Sequence, residues 1–225
     1  MRTPRKGKRR VSRIIGLSKI LTDDEIARLT DYLHGRRRGR GGSCVKIDSE
    51  NAVKIAVMCD LFLNSGLRCQ ELCGLKLKNL PCVLGDNVIE VRGKGGKERM
   101  VPISARLARR LEDYIKKQRC RTVPRYIKKS DVNGRLFYNQ QNRKFTPNAV
   151  YKRVRKAGEK SGIVKRLHPH MFRHTYATNL LAKGESIHHV KEVMGHGDIT
   201  ITMLYLHLIP GRLRGLGDRG DCAFV

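Results

Sequence analysis

A chain of 225 residues is long enough for one hydrophobic core with a short appendage, and 40% apolar residues exclude a wholly disordered polycation. Aromatic residues are scarce at 5% and Trp is absent, which argues against a surface built on base-stacking aromatics. Forty-eight Lys and Arg against 20 Asp and Glu leave a formal charge of +28, a field that attracts polyanions and makes nucleic acid the leading partner.

In chain order, residues 1–20 form a basic arm carrying Arg2, Arg5, Lys6, Lys8, Arg9, Arg10 and Arg13. Charges this dense repel one another and predict a solvated tail. Order is expected to begin at Thr22, where Thr-Asp-Asp-Glu is a capping-box pattern followed by Ile26, Leu29 and Leu33 at helical spacing. Gly35 to Gly42 breaks that helix with a basic loop holding Arg36, Arg37 and Arg38. A second helix is predicted after Ser49, with Val53, Ala56, Val57, Leu61 and Phe62 as its buried face. Between Pro81 and Ile103 the pattern changes to two short strands, Asn87–Arg92 and Arg99–Ile103, joined by the turn Gly-Lys-Gly-Gly-Lys that ends at Lys97. A small antiparallel sheet of two or three strands follows from this. Ser104 can cap a helix over 105–118, and residues 119–145 read as irregular and basic. Thr146-Pro147 opens a helix to about Ser161 that carries Lys152 and Arg153. His168-Pro169 opens another to Lys183, a shorter one covers 186–194, and a last helical stretch spans 199–208. Residues 209–225 form a Gly/Arg-rich tail of poor helix propensity. The fold class is mixed α+β, mainly α.

No apolar run approaches a membrane span, and the basic start lacks the apolar segment of a secretory signal. The seven Cys are odd in number and form no CxxC pair, so reduced thiols are expected, not a zinc site.

Three segments carry candidate chemistry. In Gly-Leu-Arg-Cys-Gln-Glu-Leu, Arg68 follows a helix-breaking Gly, and Glu71 is spaced to hold its guanidinium; a surface ion pair of that kind is ordinarily worth little. In His-Pro-His-Met-Phe-Arg-His-Thr-Tyr-Ala-Thr, His170 and Arg173 share a helix face close to its N-terminus, a suitable place for an anion. In the stretch from Val193 to His207, His196 follows Gly195, and Tyr205 comes nine residues later between Leu204 and Leu206, where a Tyr is most often a core ring.

Taken in order, with the Gly-Lys-Gly-Gly-Lys-Glu-Arg turn between the first and second, these motifs resemble the tyrosine recombinase family, Xer-like enzymes and phage integrases included. The resemblance covers roughly residues 20–208. It implies a tyrosine recombinase catalytic domain at 21–208 with a covalent 3′-phosphotyrosyl intermediate and neither metal nor other cofactor. By position it implies Arg68 and Arg173 as clamps on the scissile phosphate, with Glu71 supporting Arg68. Lys94 would be the general acid on the leaving 5′ oxygen, with Lys97 as its possible substitute. His170 and His196 would serve as phosphate and proton-transfer groups, and Tyr205 as the nucleophile. His168 reads as a helix-start residue.

The chemistry agrees with that assignment. Two fixed guanidiniums favour the charge of a phosphoryl-transfer transition state. Clustered cations are expected to favour the Tyr205 phenolate over the weakly nucleophilic phenol, and truncating Arg173 is expected to leave the fold intact. Arg5, Lys6, Lys8, Arg9, Arg10, Arg36, Arg37, Arg38, Lys97, Lys152 and Arg153 are candidate DNA contacts. The resemblance further implies double-stranded DNA as partner, a dimer or tetramer on it, accessory DNA-bending proteins and a cytoplasmic, DNA-associated location. It implies, too, a separate N-terminal helical domain. Here the basic arm alone precedes the motifs, so looser encirclement and fewer base contacts are expected. The family's C-terminal segment packs on a neighbouring subunit; this tail ends in Ala223, Phe224 and Val225, which suit either an apolar plug or a free end. Two alternatives use the same residues: DNA relaxation like that of a type IB topoisomerase, and DNA binding without catalysis.

Overall fold

The computed structural model describes residues 16–35, 50–119, 134–139, 141 and 143–208. The arm residues Arg5, Lys6, Lys8, Arg9 and Arg10, the loop residues Arg36, Arg37 and Arg38, and the tail from 209 lie outside them. Among the described residues the architecture is helical with one two-stranded antiparallel sheet, the α+β class expected.

Helix α1 is Asp23–Leu33, and its start is the capping box read from the sequence. Thr22 Oγ1 accepts from the Glu25 N–H at 3.2 Å, and Glu25 Oε2 accepts from the Thr22 N–H at 2.9 Å. Described backbone begins ahead of that box with a 3-10 turn, Leu17–Lys19, and the Leu21 N–H donates to Thr175 Oγ1 at 2.8 Å.

Helix α2, Glu50–Ser65, forms the middle of the core. One buried face was expected; Met58 and Cys59 are buried as fully as Ala56, Val57, Leu61 and Phe62. A helix enclosed by others has no solvent stripe to keep polar. Even Lys54 is buried, its ammonium donating to the Tyr138 carbonyl at 2.7 Å. Gly66 then ends the helix at φ +59, and a Cβ there would lie 2.4 Å from Tyr176 Cδ1, so the position needs glycine both for its backbone angle and for space.

Short helices α3, Cys69–Gly74, and α4, Pro81–Leu84, lead into the hairpin of β1, Val88–Arg92, and β2, Glu98–Pro102. The register pairs Ile89 with Val101 and Val91 with Arg99, so those four share the core-facing side. Residues 94–96 make a 3-10 turn at the tip, with Gly95 at φ +75. Helix α5, Ala105–Tyr114, runs on into a π turn, Ile115–Arg119, so the predicted helix over 105–118 is two kinds of helix in series.

Helix α6 is Pro147–Lys160, capped by Thr146, and α7 is Pro169–Ala182, opened by His168. Helix α7 lies against α2, with the Phe62 and Phe172 ring centroids 5.9 Å apart. Helix α8, Ile187–Met194, ends at Gly195 (φ +63), and α9, Ile199–Met203, is followed by a 3-10 turn, Leu206–Leu208. The last predicted helix is thus interrupted, and Tyr205 sits at the interruption, in a second, smaller core cluster with Ala177, Leu181, Val190, Met194 and Leu208.

Candidate active site

The chain's C-terminal half turns on one feature that the sequence alone does not display. The last carbonyls of α8 have no partner within their own helix and carry the negative end of its dipole. Three successive ones each accept from a different arginine. The Val193 carbonyl accepts from Arg99 Nε at 2.8 Å, Met194 from Arg173 Nη2 at 2.5 Å, and Gly195 from Arg68 Nη2 at 2.9 Å. Arg173 reaches in the other direction as well, Nη1 donating to the Gly66 carbonyl at the end of α2 at 2.5 Å. A single guanidinium therefore ties together two helix ends.

Glu71 neutralises part of this charge. Its Oε1 accepts from Arg68 Nη1 at 2.9 Å and from Arg99 Nη1 at 2.8 Å, and its Oε2 from Arg99 Nη2 at 3.0 Å and from the Arg68 N–H at 2.7 Å. Burial alone would raise this carboxyl, but the hydrogen bonds and charge of Arg99 and Arg68 hold it at about 2. Burial, and then the nearby Arg68, push Arg173 down to about 10, still cationic at neutral pH. Arg173 is only 3% exposed. A guanidinium has five N–H groups; two serve these carbonyls, and each Nη has a second that can meet an anion. The expectation that Arg173→Ala leaves the fold intact has to be set against a cost, because its removal strands the buried Gly66 and Met194 carbonyls.

Tyr205 is 2% exposed. Its hydroxyl lies 3.1 Å from His174 Nδ1, and its ring stacks on His196 with centroids 6.2 Å apart and planes 6° apart. His196 Nδ1 is 2.9 Å from Thr202 Oγ1. Burial, then Arg173, Arg68 and Arg99, push His196 down to about 3, so this imidazole is neutral at physiological pH. If the Thr202 hydroxyl donates to Nδ1, the ring carries its proton on Nε2 and presents a donor there. The sequence reading expected clustered cations to favour a Tyr205 phenolate. Burial outweighs them: the hydroxyl stands above its ordinary value of 10, with Arg173 and Arg68 offsetting only part of the rise. The resident group is a neutral phenol. His170, exposed at the start of α7, has its ring 6.4 Å from that of His174 and 6.4 Å from that of Tyr151. Tyr151 also stacks on His168 at 6.5 Å. His168 opens α7 without a side-chain cap bond.

An open cleft of about 1040 Å³ lies alongside, lined among others by Arg68, Glu71, Arg92, Lys97, Arg99 and His196. The hairpin turn reaches it through Gly93, Gly95 and Lys97, the residues on either side of Lys94. Of the candidate DNA contacts, Lys97 and Lys152 are exposed. Arg153 is half-buried with its guanidinium 4.9 Å above the Phe145 ring. Among the described residues no three His, Cys, Asp or Glu side chains are grouped to hold a metal ion, and no helix is long and apolar enough to cross a membrane.

Sequence reasoning passed over Arg99 and His174. Arg99 had a local signal, since alternation along β2 puts it on the same face as buried Val101, where a charge needs a partner. His174 had none, because its contact lies 31 residues away.

The sequence profile of the phage integrase family matches residues 19–212. The chain is 32% identical over 200 residues to tyrosine recombinase XerD of Oceanobacillus iheyensis, an alignment covering 89% of this chain and 61% of that protein. It is 37% identical over 149 residues to tyrosine recombinase XerC of Pseudomonas fluorescens, covering 66% of this chain and 46% of that one. The chain thus spans about half to three-fifths of the length of these relatives. Among solved structures, XerA recombinase superposes with a TM-score of 0.68 at 24% identity, over 90% of this chain and 65% of that one. XerH recombinase in a pre-cleavage complex with its difH substrate gives 0.69 at 23% identity, over 91% and 54%. At these identities the structural likeness bears on fold alone.

Proposed function

Because the chain belongs to the phage integrase family, we propose that it is a site-specific DNA recombinase that cuts and rejoins strands through a 3′-phosphotyrosyl bond at Tyr205. The observation that carries this reading is the convergence of Arg68 and Arg173 on one helix end, with His196 stacked on the Tyr205 ring beside them. In the proposed mechanism a phosphodiester enters the cleft, and Arg68 and Arg173 bind its non-bridging oxygens. Both are already fixed, Arg68 by Glu71 and the Gly195 carbonyl and Arg173 by the Gly66 and Met194 carbonyls, so little reorganisation opposes their hold on the transition state. Neutral His196 donates Nε2–H to a phosphate oxygen, and His170 does so from the exposed side. The Tyr205 oxygen attacks phosphorus, the bond to the 5′ oxygen breaks, and Lys94 supplies the proton to that leaving group. The covalent link conserves the phosphodiester bond energy, and the reverse attack rejoins the strand.

Residues 21–208 would form the catalytic unit, with 1–20 as a basic arm and 209–225 as a tail. Lys97 and Lys152 would meet the DNA backbone together with Arg5, Lys6, Lys8, Arg9, Arg10, Arg36, Arg37 and Arg38; Arg153, held on Phe145, is the weakest of the set. Double-stranded DNA is the partner, bound by two or four copies with the help of DNA-bending proteins. The test is a nicked duplex that traps the cleaved state. Wild type should yield a covalent adduct on the Tyr205 peptide, joined through a 3′ phosphate, and Tyr205→Phe should yield none. An adduct on Tyr151 or Tyr176, or one persisting in Tyr205→Phe, would refute the assignment. Two-site recombination compared with plasmid relaxation then separates strand exchange from simple relaxation.

A further inference from the structure

We propose that His174 is the base that takes the Tyr205 proton during cleavage and returns it during rejoining. The inference rests on the reading of Tyr205 as nucleophile. Its geometric ground is the 3.1 Å contact between His174 Nδ1 and the phenolic oxygen, with ring centroids 5.6 Å apart and planes inclined at 46°. That separation is within reach of proton transfer. The other imidazoles are less well placed: His196 lies parallel to the phenol ring with Nδ1 against Thr202, and His170 is a further ring away, beyond His174.

His174 is in the form a base requires. Burial, then His170, His168, Arg173 and Lys19, push it down to about 4, and it is itself among the groups that depress His196. At neutral pH it is uncharged. With its proton on Nε2, its Nδ1 lone pair accepts from the Tyr205 O–H. Handing a phenol proton to so weak a base is uphill in the resting enzyme. It becomes downhill as the oxygen bonds to phosphorus and loses its basicity, so transfer and attack occur together. The anionic phosphate between the arginines also raises the imidazole's affinity for the proton. In balance, the Tyr205 O–H and P–O5′ bonds break, and the Tyr205 O–P and His174 N–H bonds form. Lys94 gives its proton to the 5′ oxygen. In rejoining, the imidazolium protonates the departing phenolate, and Lys94 recovers a proton from the attacking 5′ hydroxyl.

The test uses the full chain and a nicked duplex chosen from a randomised pool by binding to Tyr205→Phe. Single-turnover cleavage is followed against pH for wild type and His174→Gln, each with tyrosine or a fluorotyrosine of lower phenol pKa at position 205. His174→Gln should bind the duplex as wild type does and cleave about a hundredfold slower at pH 7. Its rate should climb with pH, and fluorotyrosine should restore much of the loss, because a more acidic phenol needs less help from a base. Cleavage within about threefold of wild type would overturn the proposal. So would a deficit that is the same at every pH and with every tyrosine analogue, which marks a structural role. Should His174→Gln not fold, wild type decides: a rate level from neutral to alkaline pH and little changed by fluorination supports the base, whereas a tenfold climb per pH unit towards the phenol pKa refutes it. A wild type that forms no adduct on Tyr205 sinks the underlying reading instead.

Discussion

Replacing Arg99 with Met tests whether the site is held together by its buried ion network. The substitution keeps an apolar stem against the hairpin and removes the donors to Glu71 Oε1, Glu71 Oε2 and the Val193 carbonyl. Glu71 is held at about 2 against an ordinary value of 4.5, and its side chain is only 4% exposed. At about 1.4 kcal/mol for each tenfold change in proton affinity, the hold on its charge is worth about 3 kcal/mol. Arg68 keeps a share of that, but the orphaned Val193 carbonyl adds a cost of about 1 kcal/mol or more. The expected loss is about 2–4 kcal/mol, the low side of what breaking a buried ion pair costs. A lowered carboxyl value contributes stability that is present above 4.5 and lost as pH falls towards 2. The gap between wild type and Arg99→Met should therefore be widest near pH 7 and narrow below pH 4.5. Urea unfolding at pH 7 and pH 3.5 measures both. A loss under about 0.5 kcal/mol, the size of an ordinary surface substitution, would refute the reasoning, as would a gap that does not change with pH. Cleavage should fall as well, since Arg68 loses the partner that keeps Glu71 in place.

Arg173→Ala should destabilise the chain by about 3–5 kcal/mol, because a buried charge that satisfies the Gly66 and Met194 carbonyls disappears; thermal unfolding separates that loss from the loss of cleavage. Tyr205→Phe removes only the hydroxyl against His174 and should cost about 1 kcal/mol in unfolding experiments, with DNA affinity unchanged in a filter or anisotropy assay. Gly66→Ala forces a left-handed backbone angle and sets a Cβ 2.4 Å from Tyr176, so chemical denaturation should show one of the largest losses of any single methyl addition in the chain. Duplex affinity should fall steeply with salt, as a chain of charge +28 displaces counterions; a shallow slope in a salt titration would mean that few phosphates are contacted.

Much of this molecule was legible from local rules. The capping box at Thr22, the Thr146-Pro147 start, the Gly195 stop and the hairpin around Gly93 to Lys97 each depend on a few adjacent residues, and the structure shows all four. The order of Arg68, Lys94, His170, Arg173, His196 and Tyr205 pointed to the family for the same reason, since each motif is written in a short stretch. What tertiary structure alone decided concerns partners distant along the chain. Arg99 and Arg173 are held by the end of α8, 94 and 21 residues away, and His174 meets a phenol 31 residues on. The burial of Tyr205 reversed the expected sign of its proton affinity, because desolvation depends on how neighbouring helices close over a group and not on which charges precede it in sequence. Helix ends expose carbonyls wherever they fall, but which arginine reaches them depends on how the helices pack.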